Sequence, residues 1–481
     1  MEFDSKIFDV AILGTGLGGL IAATQLAKEH CNVLLLKEKR YCFSFKRDGY
    51  CFTPFSNLSE KLIQTGLLKK ISYSTERRGD QSRRDRTEQN VFYQVILPGA
   101  RIDVPREPSR LQREWKREFP EEWNQIENFY RELGRIKQLL KKINSKRPAG
   151  SFFPIRNRSL IRRWFTFDNL PKEGADPWLS SFSPGFVKFI ELKMISHGNL
   201  LSGSFPLSLV SHLLFRDEED EWKREIDLET VTQGLIEKLV QSGGKVEEIE
   251  DMESIEMKGK GNFSVHLKGD DRVIRSRSLI LNAPLHRVSG LFGKRGKALS
   301  RWDKKIRPRY VLVPVFLGIR ERVIPVGMKD LLVSVQNPEK PYEGGNLLLL
   351  GLSRKGDVHQ APEGKRALTA MSLRSFDGAE KNNLSDLQDG VMNHLIHLFP
   401  FLENHTEFID RTWTEGQMEN WSYPHYYYET NSEIQWRSGI VPTRILKHLY
   451  FSSRENFPYL GLEGEVLSGL LVGAQILKRD H

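Results

Sequence analysis

The residues with the clearest chemical meaning are the glycines of Gly14-Thr15-Gly16-Leu17-Gly18-Gly19, which follow a short apolar run and precede a helix-like pattern. In a GxGxxG turn between strand and helix, Gly14 allows the tight turn and Gly16 lets the backbone approach a pyrophosphate. Gly19 lets the helix pack closely on the strand. The phosphate then lies at the helix N-terminus, where backbone N–H groups have no partner within the helix. These glycines, with Leu17 between them, predict a dinucleotide-binding site.

The surrounding pattern predicts a strand at 10–13, a helix at 20–28 and a second strand at 32–36, which together make a βαβ unit. Such a unit normally ends its second strand with an acid that binds the ribose hydroxyls. Lys37 occupies that position here, and Glu38 comes next. Because neighbouring strand residues point to opposite faces, we expect Glu38 to serve only if the strand end bulges or turns. Lys37 suits the 2′-phosphate of NADP instead, so NADP stays open as an alternative cofactor.

Further elements follow from hydrophobic periodicity and turn residues. Residues 91–105 predict a hairpin through Pro98-Gly99, and apolar residues between Trp123 and Ile143 recur at the spacing of one helix face. The remaining predicted elements are a helix at 229–240, strands near 252–256, 263–267 and 278–282, a helix near 386–398, a strand at 448–453 and a helix at 464–477.

Several stretches, taken together, make the chain resemble the phytoene desaturase and carotenoid isomerase branch of the flavin-dependent amine oxidase superfamily. They are the N-terminal GxGxxG, "FKRDGYCF" (45–52), the hairpin ending "IDVP", "REFPEEWNQIENFYREL" (117–133), "LILNAPLHRV" (279–288) and "LYFSSRENFPYLGLEGEVLSGLLVGAQIL" (449–477). The last stretch resembles the family's closing flavin-binding element. The resemblance implies FAD as the cofactor, with the helix that follows Gly461 and Gly464 pointing its N-terminus at it.

The chain also departs from the family pattern. The Gly-Gly-Arg stretch expected after the ribose acid is missing from "KRYCFSF" (39–45), and the Gly-Pro expected after "DGYCF" reads "TPFSN" (53–57). The Gly-Asp pair that precedes the last helix in the family is Ser453-Arg454 here. At these positions the chain has residues with side chains where the family has glycine, which would let the backbone approach the cofactor closely. These changes keep open a flavin-free binding or accessory protein on the same fold.

The resemblance implies an α/β fold, in which a Rossmann-like FAD/NAD(P)-binding domain carries an inserted mixed α+β substrate domain. We expect the nucleotide-binding domain at 1–70, 226–292 and 438–481, and the substrate domain at 71–225 and 293–437. The implied function is an FAD-dependent oxidoreductase that desaturates, saturates or isomerises an apolar polyene or isoprenoid lipid. This chemistry belongs to the cofactor and needs no covalent protein nucleophile, so we assign no catalytic residue.

The formal charge of +10 is concentrated in one region, because residues 105–167 hold 16 Lys and Arg against 7 Asp and Glu. Within it, residues 151–167 interleave Arg156, Arg158, Arg162 and Arg163 with five aromatic side chains. This composition predicts peripheral contact with an anionic membrane. The alternative is a cap whose aromatic residues pack inward. We expect no nucleic-acid partner, because no recognisable binding module accompanies the basic residues.

The remaining features predict no additional chemistry. The three cysteines lack metal-type spacing and fit a reducing cytoplasm, and the acidic first residues predict no signal peptide. His394 and His397 share a helix face without evident further ligands, so we expect no metal site. "YPHYYYE" (423–429) is predicted to fill the core rather than line a pocket. The sequence leaves the substrate and the oligomeric state open.

Overall fold

The computed structural model describes residues 7–38, 44–55, 91–105, 107–145, 174–201, 205–215, 228–258, 262–376, 384–410, 426–430 and 439–478. The basic segment 151–167 lies outside these ranges. The strands are β1 (Ile7–Leu13), β2 (Val33–Glu38), β3 (Phe45–Arg47), β4 (Tyr50–Phe52), β5 (Val91–Leu97), β6 (Ala100–Pro105), β7 (Lys245–Ile249), β8 (Met252–Lys258), β9 (Asn262–Leu267), β10 (Asp270–Leu281), β11 (Ile306–Arg320), β12 (Leu331–Val335), β13 (Leu347–Leu352), β14 (Lys365–Ser375), β15 (Thr406–Asp410), β16 (Tyr426–Thr430), β17 (Arg444–Leu446) and β18 (Leu449–Phe451).

The helices in the same ranges are α1 (Leu17–Lys28), α2 (Pro108–Glu118), α3 (Trp123–Ser145), α4 (Asp176–Leu179), α5 (Pro184–His197), α6 (Leu207–Leu214), α7 (Leu228–Gln241), α8 (Leu285–Ser289), α9 (Lys297–Asp303), α10 (Leu384–Leu398), α11 (Leu402–His405) and α12 (Leu462–Leu477). The predicted βαβ opening is confirmed, but α1 begins at Leu17 rather than at residue 20. The glycine turn therefore merges directly into the helix.

The first sheet runs in the order β17-β18-β10-β1-β2-β7. Strands β18, β10, β1, β2 and β7 are parallel, and β17 adds an antiparallel edge. The first half of β10 pairs with β9, which in turn pairs with β8. The sheet thus draws its parallel strands from the start, the middle and the end of the chain. Their carboxyl ends meet at one edge, which is where open α/β sheets bind their ligands.

Helices α1, α7 and α12 cover one face of this sheet. Alternate strand residues, such as Val10 and Leu35, pack with these helices in one core cluster. The residues between them, such as Ala11 and Leu34, face a second and larger cluster. Because both faces of the sheet are covered, the sequences of the parallel strands are continuously apolar and do not alternate between apolar and polar residues.

The second sheet runs in the order β15-β11-β14-β13-β12-β5-β6, with β16 also paired to β11. Its strands are antiparallel apart from the β12–β5 pair. The hairpin predicted at 91–105 is confirmed as β5 and β6. Apolar residues on one face of α3, including Ile126, Phe129 and Leu133, are buried as their spacing predicts. The mixed α/β architecture expected from the sequence is therefore present.

Candidate functional site

The turn between β1 and α1 requires glycine at Gly14. The φ angle of Gly14 is +101°, and a Cβ there would clash with the backbone carbonyl oxygen of Asn282, just after β10. Gly16 is the N-cap of α1 in an extended conformation, without a side-chain cap, and the first turn holds no acidic residue. The N-terminus of α1 thus presents backbone N–H groups at the carboxyl edge of the sheet, where an anion is stabilised.

Gly18 and Gly19 allow α1 to pack closely on its neighbours. A Cβ at Gly19 would lie 2.6 Å from the Asn282 side chain, which agrees with the helix–strand packing expected for this glycine. A Cβ at Gly18 would lie 2.5 Å from Ser452 Oγ and 2.8 Å from the carbonyl oxygen of Glu465. The sequence offered no packing role for Gly18, because its neighbours lie more than 400 positions away.

Lys37 and Glu38 lie on opposite faces of β2. Lys37 Nζ is 2.9 Å from Glu248 Oε1, its register partner on β7. Pairing with β7 continues regularly through Glu38, so the bulge or turn that we expected Glu38 to need is absent from the described strand. The Glu38 carboxylate is largely buried and lies 3.9 Å from Arg287 Nη2 on α8. Glu38 is therefore the last residue of β2, on the face opposite Lys37, and its contact with the ribose stays a prediction.

The C-terminal element begins at Gly461, the N-cap of α12, with a φ angle of +55°. Gly464 lies in the first turn, and a Cβ there would lie 2.8 Å from Phe457 Cβ and closer still to its carbonyl oxygen. The structure therefore gives Gly464 a packing role against Phe457. Ser453 caps the short helical turn Arg454–Asn456, since its Oγ accepts a hydrogen bond from the Glu455 N–H at 3.1 Å.

Helices α1 and α12 cross at Gly18 and Gly469. A Cβ at Gly469 would lie 2.9 Å from Gly18 Cα, so only glycine permits this crossing. Beside it, the hydroxyl oxygens of Ser452 and Ser468 are 2.8 Å apart. The crossing brings the N-terminal glycine motif and the C-terminal element to the same edge of the first sheet. That arrangement turns two distant motifs into one site.

This site also contains a buried ion pair, which the sequence did not predict. Arg454 Nε donates to Glu465 Oε2 at 3.0 Å, and Glu465 Oε1 also accepts from the Gly18 N–H at 3.4 Å. Two further glutamates are buried nearby. Glu463 Oε2 lies 3.2 Å from His212 Nε2, and Glu455 Oε2 accepts from the Leu285 N–H at 2.8 Å. The signal available in the sequence was the presence of Arg454 and three glutamates in a C-terminal element that is otherwise uncharged.

His286 on α8 packs where the two sheets meet. Its ring stands edge-on to Tyr426 of β16 and to Phe376, with centroid distances of 5.1 and 5.4 Å. Burial, with the charge of Arg287 as a second cause, lowers the pKa of His286 to about 4. The imidazole is therefore neutral at pH 7. Tyr426, Tyr427 and Tyr428 are all buried. This agrees with the prediction that residues 423–429 fill the core, for the residues of that stretch that the structure describes.

The other residues singled out in the sequence are accounted for by packing. His394 is buried, and its ring nitrogens lie 2.8 Å from Ser334 Oγ and from the Gly345 carbonyl oxygen. Over the described ranges, no group of three or more His, Cys, Asp or Glu side chains is arranged to hold a metal ion. Within the same ranges, no helix is long and apolar enough to cross a membrane.

The described residues fit a dinucleotide at this edge of the first sheet. The N-termini of α1 and α12 both lack a side-chain cap, and Glu38 ends the second strand with a carboxylate. Uncapped helix N-termini bind phosphate, and a carboxylate at the end of the second strand binds ribose hydroxyls. A simple phosphate cradle does not need the Glu465 carboxylate at Gly18, nor Glu463 in the same first turn of α12.

Comparisons with known proteins agree with this fold, although no family model matches the chain. Prolycopene isomerase from Arabidopsis thaliana is 24% identical over 433 residues, which cover 84% of this chain and 71% of that protein. The Daucus carota prolycopene isomerase is 23% identical and covers 83% and 68%. Among solved structures, a triple mutant of putrescine oxidase has a TM-score of 0.63 at 16% identity, covering 98% and 99%. Cyclohexylamine oxidase from Brevibacterium oxydans has a TM-score of 0.57 at 12% identity, with the same coverage.

The fold of the chain matches these oxidase structures over nearly its whole length, and the glycine-rich edge of the first sheet lies where such α/β folds bind their ligands. Its sequence is similar to the prolycopene isomerases along most of its length.

Proposed function

We propose that the protein is an FAD-dependent oxidoreductase or isomerase that acts on an apolar polyene of the carotenoid class. The observation that carries this proposal is the alignment with prolycopene isomerases over more than four-fifths of the chain. The meeting of both terminal motifs at one edge of the first sheet supports it. The alternative of an NADP-binding oxidoreductase has less support, because Lys37 is paired with Glu248.

The residues proposed to hold FAD are Gly14, Gly16, Leu17, Gly18 and Gly19 at the start of α1, Glu38 at the end of β2, and Gly461 and Gly464 at the start of α12. When bound, FAD supplies a ring that accepts, returns or mediates transfer of a hydride. Backbone N–H groups of α1 would bind the phosphates, and the Glu38 carboxylate would accept hydrogen bonds from the ribose. The neighbouring apolar core would exclude water from the reacting centre.

The experiment is to purify the protein gently, record its visible absorption spectrum, and quantify FAD and NADP(H) after denaturation. Near-stoichiometric FAD supports the proposal, and the holoprotein is then incubated with prolycopene and the isomers are separated by chromatography. FAD and prolycopene without protein are the control. If no flavin is present and added FAD does not bind at micromolar concentration, the oxidoreductase proposal is wrong. Bound NADP(H) would instead favour the NADP alternative.

A flavin-free binding or accessory protein on the same fold is the second candidate. The observation that favours it is the contact of Glu465 with the Gly18 N–H, because the chain's own carboxylate already takes a phosphate-type hydrogen bond. Binding of a carotenoid by flavin-free protein, without isomerisation, would support this candidate. Turnover by the flavin-loaded protein would exclude it.

We also propose that segment 151–167 holds the protein at an anionic membrane, from which an apolar substrate is drawn. Its arginines and aromatic residues support this proposal. Liposome flotation should show binding that depends on anionic lipid and weakens with salt and with Arg162→Glu/Arg163→Glu. Equal recovery in the soluble fraction with and without anionic lipid would contradict it. A cytoplasmic location stays a prediction; the named relatives are chloroplastic.

A further inference from the structure

The Arg454–Glu465 ion pair is unusually buried for two charged side chains. Arg454 is 7% exposed and Glu465 is 1% exposed. Removing both charges from water costs several kcal/mol per ion, and a buried ion pair often stabilises a protein no better than apolar residues of similar size. The position of the pair therefore calls for an explanation other than stability alone.

The pair lies where the site would bind phosphate. Glu465 is in the first turn of α12, and its carboxylate also accepts the Gly18 N–H of the first turn of α1. That N–H belongs to the group of donors that lack a partner within the helix. The first turn of α1 contributes no acidic residue of its own. Glu465 thus supplies a negative charge to the N-terminus of α1 from the other end of the chain.

Charges of both signs surround the pair. The N-termini of α1 and α12 each carry a partial positive charge, and Arg454 adds a full one. The other two buried glutamates have different partners, since Glu463 faces His212 and Glu455 accepts from the Leu285 N–H. Glu465 contacts both Arg454 and α1. A second anion entering here would compete with Glu465 for the same two donors.

We propose that Arg454 is a phosphate ligand of the dinucleotide site, and that Glu465 occupies its place until the pyrophosphate of the cofactor displaces it. This inference rests on the proposed function and deepens it. The guanidinium group matches phosphate oxygens with two parallel hydrogen bonds, and a pyrophosphate carries more charge than one carboxylate. Glu465 thereby lowers the affinity for the cofactor, and Arg454 raises it.

A purely structural role for the pair predicts a different result. If the pair only fixed the Arg454–Asn456 turn against α12, its variants would change thermal stability and leave cofactor affinity unaltered. Displacement predicts opposite changes in affinity from the two partners. Glu465→Gln keeps the size and the acceptor oxygen of the side chain but removes the charge that opposes the phosphate. Arg454→Gln removes the ligand and leaves the opposing carboxylate.

The test measures FAD binding to flavin-free full-length protein by isothermal titration calorimetry, with ADP as a second probe that lacks the flavin ring. Glu465→Gln should bind both probes about tenfold more tightly than the wild type, and Arg454→Gln about tenfold less tightly. The matched control is Glu463→Gln, which removes a buried carboxylate from the same helical turn, where it faces His212. Its affinity should stay within about threefold of the wild type.

The outcomes separate this inference from the proposed function. If wild type and variants all bind FAD equally, the inference is wrong and the proposed function stands. If the wild type fails to bind and Glu465→Gln binds, the inference is supported and FAD-dependent function of the natural chain is excluded. If no variant binds FAD, both are wrong. Should Glu465→Gln not fold, Arg454→Gln decides alone, and unchanged ADP affinity overturns the inference.

Discussion

Replacing Gly469 by alanine tests the helix crossing that assembles the site. A Cβ at this position would lie 2.9 Å from Cα and 3.0 Å from the carbonyl carbon of Gly18, and closer still to its oxygen. All three atoms are backbone atoms of α1, so a side chain cannot swing away to relieve the clash. The two helices must move apart, and the N-terminus of α1 must shift relative to α12.

The expected cost follows from two opposing effects. Overpacking of this kind costs about 1–3 kcal/mol, whereas alanine gains about 1 kcal/mol over glycine in a helix interior. We expect Gly469→Ala to lower the free energy of unfolding by up to about 2 kcal/mol. Gly473, one turn later on α12, is the matched control. A Cβ there would meet the end of the Gln25 side chain, which is flexible and can rotate aside.

Gly473→Ala should therefore be neutral or stabilise the protein by up to about 1 kcal/mol. Urea unfolding monitored by circular dichroism measures both variants against the wild type, and FAD binding is measured on the same samples. Gly469→Ala should also bind FAD more weakly, because the first turn of α1 is displaced. If the two alanine variants are equally stable and bind FAD equally, the crossing does not assemble the site and the reasoning is wrong.

Three further predictions concern charged and titrating groups. Glu38→Gln should weaken FAD binding about ten- to hundredfold by calorimetry, whereas Lys37→Met should change it less than about threefold; equal effects would contradict the assignment of Glu38. The pKa of His286 is lowered from 6.5 to about 4 in the folded protein. Between these two values the imidazole takes up a proton in the unfolded chain but not in the folded one, so the free energy of unfolding decreases as the pH falls from about 6.5 to about 4. In His286→Phe, which keeps an aromatic ring, this decrease should be absent. Between pH 7 and pH 4 the free energy of unfolding measured with urea should therefore fall by up to about 3 kcal/mol less in the variant than in the wild type, and equal decreases would refute the pKa argument. Arg454→Met should destabilise the protein by about 3–5 kcal/mol because the buried Glu465 carboxyl loses its partner. Adding Glu465→Gln should restore most of that loss, and a double variant no more stable than the single one would contradict the pairing.

Local sequence rules predicted much of the fold. The apolar run, the glycines and the helical pattern that follow each other at residues 10–28 are sufficient to define a strand, a turn and a helix, and they appear as β1 and α1. The spacing of apolar residues in α3 and the turn residues between β5 and β6 act over a few positions in the same way. Strand and helix periods are local properties, so a single sequence reveals them.

The candidate site was predicted in part. The glycines at the start of α1 and the C-terminal helix were identified from their own residues, because each motif is continuous in the chain. The partner of Lys37 was not, since Glu248 reaches it only through the pairing of β2 with β7. Nor could the sequence place Glu38, whose position depends on how far β2 extends.

Sequence patterns alone identified many of the elements, such as β1, α1 and α12, and two motifs suited to a dinucleotide. Tertiary structure alone decided that α1 and α12 cross at Gly18 and Gly469, and that the Glu465 carboxylate reaches the Gly18 N–H. The physical reason is the distance along the chain. A contact between residues 447 positions apart depends on sheet order and helix packing, which no local pattern encodes.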